Sequence, residues 1–534
     1  MTSNQRLMLA VALSVVFFLG YTAIFPPKAQ ELALDENKNK NISVKENVSS
    51  TNTQVIEKEL GHAISVDEKV GSANSNSIVT IKSDNFVLKL DTLGRISSKI
   101  LLEDKFNNSD DLHAEVVSPT GAKPLYVRFA DDVLNNEAIS TAYTASVSEA
   151  IIKDKPVQVV LTQKLQDLIV TKNLTFYADG HYDVNIVLSR DARYFVYIGQ
   201  RPEVSKQLMA VAGGMVYTDD EIATIIEDGD AEGRKVFSAV TLASAFDQYT
   251  ASIMYGFKKD TNIIVDRDRS DNPVIYFEAT PNSTFNGYLG PKEHKVLKAI
   301  NPALVNAIEY GWFTFAAKPL FSLLSWLHGI FGNWGWAIIA LTLIVRAILY
   351  PLTYKGMVSM QKMKELAPKM KELKEKYKSE PQRLNAATME MYKKHGANPL
   401  GGCLPMILQI PVFFAIYRVL LNAVELQGAS WMLWIDDLSR MDPTYILPIL
   451  MGASMFFQQK LTPTSFTDPM QEKVMKFLPI IFTFFFLTFP SGLVLYWFVN
   501  NLFSILQQFI VNQQFANAKD VKIAIKEDAG KKDD

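Results

Sequence analysis

Two patterns of apolar and polar positions divide the chain. From residue 78 to about 290 the pattern has period two, as in FVLKLD at residues 86–91, and Asp, Asn and Gly separate the segments. Alternation of this kind predicts β-strands, with turns expected at 178–180 and 212–214. From residue 334 to 511 long apolar runs take its place. Runs of that length are typical of membrane-spanning helices.

Five apolar runs are candidates for the membrane: residues 7–25, 334–352, 403–421, 445–457 and 477–511. The last would measure roughly 52 Å as one helix, whereas a bilayer core is about 30 Å thick. We therefore expect two spans there, with the turn at FPSG, residues 489–492. The total is six spans. Lys and Arg concentrate in the loop after the second span, so that loop and both termini are expected in the cytoplasm.

The predicted fold is a multi-domain membrane protein. An antiparallel β-sandwich outside the membrane is joined to a C-terminal bundle of five transmembrane helices, with an additional N-terminal transmembrane anchor. The predicted segments are the anchor (1–27), a flexible linker (28–77), the β-sandwich (78–300), an interfacial amphipathic helix region (301–333), the five-helix core (334–514) and a cytoplasmic tail (515–534).

Two further helical regions flank the second span. Residues 318–330 are too short to span, and predict a helix in the outer interface with Trp326 at headgroup depth, or one packed on the β domain. Residues 355–399 carry many Lys and Arg residues and predict a cytoplasmic helical hairpin broken at Ser379-Glu380-Pro381. Its Met-rich face, with Met360, Met363 and Met370, favours packing over a binding groove.

Composition and residue spacing argue against several kinds of binding and metal site. The net charge of −2 does not favour nucleic-acid recognition. Cys403 is the only cysteine, which excludes internal disulfides and multi-thiolate metal sites. His181, Asp183 and His294 lack metal-ligand spacing, and the remaining Asp pairs are typical of solvated turns. We expect no enzyme activity, no cofactor and no metal.

Arg346 is the exceptional residue of the apolar region. A charge at this depth costs about 3 kcal/mol on insertion scales, and it lies about 18 Å from the outer end of its span. Other polar side chains also fall at the middle or cytoplasmic half of the spans, and no acid lies among them. They are Thr342, Gln409, Gln458, Gln459, Asn500, Asn501, Gln507 and Gln508.

This distribution predicts a water-filled pocket open to the cytoplasm and closed outside. Arg346 would stay unpaired there until an acidic substrate segment arrives, because electrostatic attraction is stronger in a desolvated site than in water. The alternative is that Arg346 reaches the cytoplasmic headgroups and only anchors its helix.

Several motifs in residues 334–508 resemble the YidC family of membrane-protein insertases, in the Gram-negative form with a large periplasmic domain. The β region resembles that domain by position and pattern only. The matching stretches are TLIVR with YPLT (342–346, 350–353), NPLGGC (398–403), WI with DL (434–438), DP with YILPILMG (442–452), TDPMQ (467–471) and FPSGLVLYW (489–497).

The resemblance implies a groove open to the cytoplasm and lipid, with Arg346 as its charged floor. Gln409 and Asn500 join this groove by depth. The positions that match the family's groove and substrate contacts are Thr342, Phe413, Met451, Phe485, Tyr496 and Trp497. The expected function is insertion and folding of newly made inner-membrane proteins, alone or with the Sec translocon.

The resemblance also implies partners: nascent membrane proteins, the translocon, the ribosome and signal recognition particle pathway, and membrane lipids. The hairpin lysines expected to make ribosome or targeting contacts are Lys362, Lys364, Lys369, Lys371, Lys374 and Lys393. Two other functions stay open on the residues alone. One is a membrane-anchored carbohydrate-binding or carbohydrate-modifying β domain, and the other is a small-molecule transporter, which lacks support from repeats or membrane acids.

Overall fold

The computed structural model describes residues 76–107, 112–204, 211–378, 380–395, 399–461 and 469–530. These residues form two compact units, with the division between Ile308 and Glu309. The first unit is rich in β-structure and the second is helical, in agreement with the predicted fold class at that level. The predicted N-terminal anchor and nearly all of the linker lie outside the described residues.

The β unit contains strands throughout the region of period-two alternation. Its strands are β1 (Ser77–Lys82), β2 (Phe86–Asp91), β3 (Ile96–Leu101), β4 (Val127–Phe129), β5 (Thr144–Ala145), β6 (Glu149–Ile151), β7 (Val157–Lys164), β8 (Ile169–Phe176), β9 (His181–Leu188), β10 (Tyr194–Tyr197), β11 (Gly213–Thr218), β12 (Ala223–Glu227), β13 (Lys235–Phe237), β14 (Val240–Phe246), β15 (Thr250–Tyr255), β16 (Ile263–Arg267), β17 (Pro273–Ala279) and β18 (Asn282–Pro291). Two short helices, α1 (Asp132–Ser140) and α2 (His294–Ile300), accompany them.

Among the described residues the strands form three sheets. Their orders are β3-β2-β1-β6, β13-β16-β17-β10-β4 and β12-β11-β14-β15-β18-β9-β8-β7-β5. Strand β9 shows why alternation predicts strands here. Its even-numbered residues are buried and the others are half-buried. The pairing is antiparallel except between β1 and β6, which run parallel. The expectation of a purely antiparallel arrangement was therefore wrong at that edge.

The predicted turn at 178–180 is confirmed, since it joins β8 to β9. The predicted turn at 212–214 is wrong, because Gly213 and Gly214 begin β11. A Cβ on Gly213 would lie 2.2 Å from the Ile226 carbonyl oxygen, and one on Gly214 would lie 2.9 Å from a methyl carbon of Ile275. Close approach of neighbouring strands, and not a chain reversal, requires these glycines.

The helical unit contains eight helices within the described residues. They are α3 (Thr314–Phe331), α4 (Trp334–Glu365), α5 (Ala367–Lys376), α6 (Pro381–Lys394), α7 (Pro399–Asn422), α8 (Ile446–Leu461), α9 (Pro469–Phe486) and α10 (Ser491–Gly530). Two helical segments of the described chain, Trp334–Glu365 and Ser491–Phe515, are long and apolar enough to cross a membrane. Helix α10 runs on into the predicted tail.

Local chemistry sets the junction between α3 and α4. Gly332 adopts a left-handed conformation and ends α3, with its N–H donating to the His328 carbonyl. Asn333 then caps α4, because its side chain accepts from the Trp336 N–H at 3.2 Å. The buried face of α3, which includes Phe321, packs within the helical unit, and Trp326 on the same helix is exposed.

Helix α4 is longer than the predicted second span. It continues without interruption to Glu365, and a break at Leu366 separates it from α5. The hairpin thus has two short helices, α5 and α6, instead of one long amphipathic helix followed by a second. Pro368 in the first turn of α5 explains the break, because proline favours the start of a helix over its interior.

The helical unit has an apolar exterior and a polar interior. Large apolar side chains are exposed along its helices, including Ile348, Ile449, Phe484, Leu506 and Phe509. Asn, Gln, Ser, Thr and Arg side chains are buried between the same helices. A water-soluble protein has the opposite distribution. Lipid accounts for it, because apolar side chains remain in contact with lipid while polar groups must find partners inside.

Lys99 and Lys172 are two of the lysines buried in the β unit. The Lys172 ammonium donates to the carbonyl oxygens of Gly94 at 2.9 Å and Leu125 at 2.8 Å. Lys99 donates to the Leu289 carbonyl. Burial lowers the pKa of each lysine to about 7, against a partial opposing effect of Asp179 on Lys99 and of Asp91 on Lys172. The folded unit therefore releases these protons at a lower pH than the unfolded chain.

We predict that the β unit becomes more stable as the pH rises from 7 to 8.5. In that range the unfolded lysines remain protonated while the folded ones lose their protons, so the free energy of unfolding should rise by roughly 1–2 kcal/mol per lysine. Pulse proteolysis in urea at each pH measures this. Lys172→Met should reduce the slope, and the exposed control Lys153→Met should not. Equal slopes in the two variants would contradict the assignment.

Candidate functional site

A stripe of polar residues follows one face of α10. Asn500, Ser504, Gln507 and Gln508 are all buried, and their spacings of three and four place them on one side of the helix. Buried polar groups need partners, and this stripe provides them for two neighbouring helices, α4 and α7.

Arg346 on α4 is bound to this stripe by three hydrogen bonds. Its Nε donates to the Asn500 side-chain oxygen at 2.7 Å. Its Nη2 donates to the Ser504 hydroxyl at 2.6 Å and to the Asn500 carbonyl oxygen at 3.2 Å. The residue keeps only 7% of its surface exposed. No carboxylate in the described ranges forms an ion pair with it.

The prediction that Arg346 stays unpaired needs correction, because the guanidinium is not free. An amide, a hydroxyl and a main-chain carbonyl hold it. Sequence analysis included Asn500 in the site and missed Ser504. The available signal was spacing, since Ser504 lies one helical turn after Asn500 and therefore on the same face.

A second inter-helix hydrogen bond sets the register of α4 and α10. The Gln507 amide donates to the Thr353 hydroxyl at 2.8 Å. Thr353 follows Arg346 by seven residues, and Gln507 follows Asn500 by seven. Both bonds therefore join positions 154 apart in sequence. The two helices run parallel, and two turns of each are held in one alignment.

Helix α7 approaches the same stripe, and α8 approaches another flank of α10. The Gln409 amide on α7 lies 3.5 Å from the Asn500 side-chain oxygen, a long contact. On the other flank, Asn501 donates to the Ser454 hydroxyl of α8 at 3.1 Å. Asn500 and Asn501 are adjacent in sequence but serve different helices, because successive helical residues point about 100° apart. Arg346, Asn500, Ser504 and Gln409 form what we call the arginine cluster.

Two other predicted groove residues lie beside the arginine cluster. Thr342, one turn before Arg346 on α4, is buried and donates its hydroxyl to the Ile338 carbonyl of its own helix at 2.7 Å. Tyr496, one turn before Asn500 on α10, is buried and within electrostatic range of Arg346. Both therefore line the side of the cluster nearer the N-terminal ends of these helices.

Trp497 is the centre of a separate aromatic cluster. The Phe413 ring meets it edge-on with centroids 4.6 Å apart, and the rings of Phe486 and Phe482 lie at 5.3 and 6.3 Å. Helices α7, α9 and α10 converge at these rings. The indole N–H of Trp497 is buried with no hydrogen-bond partner among the described residues.

Met451 and Phe485 form no hydrogen bond with the arginine cluster in the described structure. Met451 is fully buried on α8, and its carbonyl accepts from Ser454. Phe485 is near the end of α9, with 53% of its surface exposed and its ring 4.8 Å from that of Phe489. The predicted residues thus form one polar cluster and one aromatic cluster, and Phe485 contacts the aromatic cluster through Phe486, whose ring lies 5.9 Å away.

The loop between α7 and α8 is hydrogen-bonded to the start of α10. Ser491 and Gly492, which begin α10, donate their N–H groups to the carbonyls of Arg440 and Leu438 at 2.7 and 2.8 Å. Asp442 accepts from the Leu447 and Thr444 N–H groups at the start of α8. Burial acts to raise the pKa of Asp442, but these hydrogen bonds outweigh it and hold the pKa below its ordinary value.

The hairpin has a small apolar core of its own. Leu366 and Met391 are buried, and Met363, Met370, Leu373 and Tyr392 pack against them. For Met363 and Met370 the interpretation as packing is confirmed. Of the predicted contact lysines, Lys364, Lys369, Lys371 and Lys393 are exposed, whereas Lys362 and Lys374 are half-buried.

An apolar exterior, a buried arginine with uncharged partners and a β-rich second unit define a membrane protein with a polar site inside its helical bundle. Residues 326–519 match the family described as 60Kd inner membrane protein, and residues 237–323 match the YidC periplasmic domain. Similar proteins named membrane protein insertase YidC occur in Campylobacter jejuni (46% identity, covering 96% of both chains), Wolinella succinogenes (46%, covering 96% of this chain and 95% of the relative) and Helicobacter pylori (44%, covering 97% of both). The chain belongs to the YidC family of membrane protein insertases.

We predict that the Thr353–Gln507 bond is structural and not part of the charged site. Gln507→Leu should lower the free energy of unfolding by about 1 kcal/mol, the order measured for hydrogen bonds between membrane helices. A double-mutant cycle with Thr353→Val, followed by unfolding in SDS, isolates the pairwise contribution. Insertion of substrates with acidic tails should persist in Gln507→Leu. A loss restricted to acidic tails would instead place Gln507 in the charged site.

Proposed function

We propose that this protein inserts newly made membrane proteins into the bacterial inner membrane and assists their folding. Relatives that carry the name membrane protein insertase, and match nearly the whole chain, support the class of function. The observation that carries the mechanism is Arg346, buried and held among the described residues by uncharged groups alone. Such a charge can attract an acidic segment that passes through.

The attraction is an electrostatic effect of burial. Two unit charges 4 Å apart interact by about 1 kcal/mol in water and about 4 kcal/mol at the effective dielectric constant of a protein. A carboxylate in the flank of a nascent segment therefore gains more from Arg346 than from an exposed arginine. The gain partly offsets the cost of taking that carboxylate out of water.

The polar and aromatic clusters have different proposed roles, one toward the hydrophilic flank of the substrate and the other toward its membrane segment. Thr342, Gln409, Asn500 and Tyr496 line the polar part of the proposed groove with Arg346, so the hydrophilic flank crosses a shorter apolar distance. Phe413, Trp497, Met451 and Phe485 offer apolar contacts to the membrane segment itself. Because little of Arg346 is exposed, the groove must open as the substrate enters. The groove is proposed to face the cytoplasm and lipid.

Partitioning of the apolar substrate segment into lipid drives the completion of insertion. Each apolar side chain that leaves the groove for lipid gains about 25 cal/mol per Å² removed from water. The backbone of the segment satisfies its own hydrogen bonds as a helix. The proposed cycle thus needs no nucleotide hydrolysis and no covalent chemistry.

We further propose six membrane spans, with both termini in the cytoplasm and the β unit in the periplasm. The parallel alignment of α4 with α10, and the antiparallel approach of α7, suit alternating spans. Helix α3 would lie in the outer interface, with exposed Trp326 at headgroup depth. The proposed partners are nascent membrane proteins, the Sec translocon, the ribosome and signal recognition particle pathway, and lipids.

Replacing Arg346 tests the electrostatic mechanism. The purified full chain is placed in proteoliposomes with two single-span substrates that differ only in Asp or Asn residues of the translocated tail. Arg346→Ala should stop insertion of the acidic tail, and Arg346→Lys should retain part of it, because lysine keeps the charge but not the guanidinium geometry. Protease protection of the tail measures insertion. The neutral tail is the control, and full activity of Arg346→Ala on the acidic tail would refute the mechanism.

The exposed hairpin lysines provide a separate test of the ribosome contact. Replacing Lys364, Lys369, Lys371 and Lys393 with Gln should weaken binding of ribosome–nascent-chain complexes and flatten its dependence on salt, since each lost phosphate contact removes counterion release. Co-sedimentation with proteoliposomes at several salt concentrations measures both.

The matched control replaces four exposed lysines of the β unit, Lys153, Lys155, Lys258 and Lys259, with Gln. It should leave ribosome binding unchanged. If both quadruple variants bind ribosome complexes as the original protein does, the hairpin is not the contact. Phosphate contacts of this kind carry no nucleotide-sequence preference.

A further inference from the structure

The partners of Arg346 bind the Nε and Nη2 groups of its guanidinium. They leave the edge at Nη1 available to another acceptor. Of its five N–H groups, Nε–H is taken by the Asn500 side chain, and Nη2 by Ser504 and the Asn500 carbonyl. Within the part of the chain that the structure describes, no residue accepts a hydrogen bond from Nη1. A carboxylate binds a guanidinium best through two parallel bonds, and the Nη1–Nη2 edge offers such a pair.

The Ser504 hydroxyl is oriented by its own helix. It donates to the Asn500 carbonyl at 3.0 Å, so toward Arg346 it can only accept. If a carboxylate takes its place at Nη2, Ser504 keeps the bond to its helix and loses one acceptor contact. A carboxylate brings a full opposite charge to the guanidinium and can form two parallel bonds with it, whereas the Ser504 hydroxyl offers a dipole and one bond. The exchange therefore favours the carboxylate.

Asn500 has a different role from Ser504, because it holds the guanidinium in position. Its side-chain oxygen holds Nε, the side of the guanidinium away from Nη1, and the residue is itself buried. This contact keeps the plane of the group fixed while the far edge changes partner. The same oxygen lies near the Gln409 amide, which ties the position to α7.

We propose that Asn500 and Ser504 are resident ligands of Arg346. Asn500 positions the guanidinium, and Ser504 yields its place at Nη2 to a carboxylate of the entering segment, which binds across Nη1 and Nη2. Both ligands must be uncharged, because an acid in either position would satisfy the arginine permanently. This inference rests on the proposed insertase function and names the groups that substrate displaces.

Asn500→Asp tests it with almost no change of shape. The measured quantity is the ratio of acidic-tail to neutral-tail insertion in the proteoliposome assay. A resident aspartate should lower that ratio by about tenfold, equivalent to about 1.4 kcal/mol. A general defect in folding lowers insertion of both substrates and leaves the ratio unchanged.

Asn501→Asp is the matched control. It adds the same charge at the next residue of α10, where the side chain faces Ser454 on α8 and not Arg346. Its ratio should match that of the original protein. Ser504→Asp places an acid at Nη2 and should reproduce the loss. It also serves as the second variant if Asn500→Asp does not accumulate in membranes.

The outcomes separate the two proposals. If Arg346→Ala leaves the ratio unchanged, the electrostatic mechanism itself is wrong. If Arg346→Ala abolishes the acidic preference while Asn500→Asp and Ser504→Asp behave as Asn501→Asp does, the mechanism stands and the resident-ligand exchange is refuted. Loss of the preference in all three acid variants would show a general field effect and would also refute the exchange.

Discussion

The helical unit depends on one constraint, that a guanidinium buried among lipid-facing helices must have hydrogen-bond partners. Arg346 finds them on α10, in a side-chain amide, a hydroxyl and a main-chain carbonyl. Charged hydrogen bonds to neutral acceptors stabilise the group without cancelling its charge. Stability and electrostatic attraction can therefore reside in the same residue, which a buried ion pair would prevent.

The surrounding packing follows from this requirement. Helices α4 and α10 share a register because both the Arg346 and the Thr353 contacts must be made at once. Helix α8 approaches from the other flank, where Gly452 lets it lie against Thr483 of α9, since a Cβ there would be 1.8 Å from the Thr483 hydroxyl oxygen. The loop that receives the first N–H groups of α10 holds the end of that helix. Polar contacts and close packing thus substitute for the hydrophobic effect, which is weak between helices in lipid.

Much of this organisation can be predicted from the sequence. The physical reason for each successful or missed prediction differs between the strands, the helices and the polar residues. Alternation predicts the strands because one face of each is buried, yet it could not distinguish the glycines of β11 from a turn. Apolar length located the helices, but not the continuation of α4 to Glu365. Depth alone placed Arg346, Gln409 and Asn500 together, since polar groups in an apolar region must meet. Ser504 and Thr353 were missed because hydroxyl residues can also bond their own helix, as Thr342 does.

Because the chain is synthesised from its N-terminus, Arg346 on α4 is made before its hydrogen-bond partners on α10. Arg346 leaves the ribosome 154 residues before Asn500. At 5–20 residues per second this interval is about 8 to 30 s. During it the arginine has none of its α10 ligands and must rely on water or headgroups. The charged site therefore takes its final form only after α10 has been synthesised.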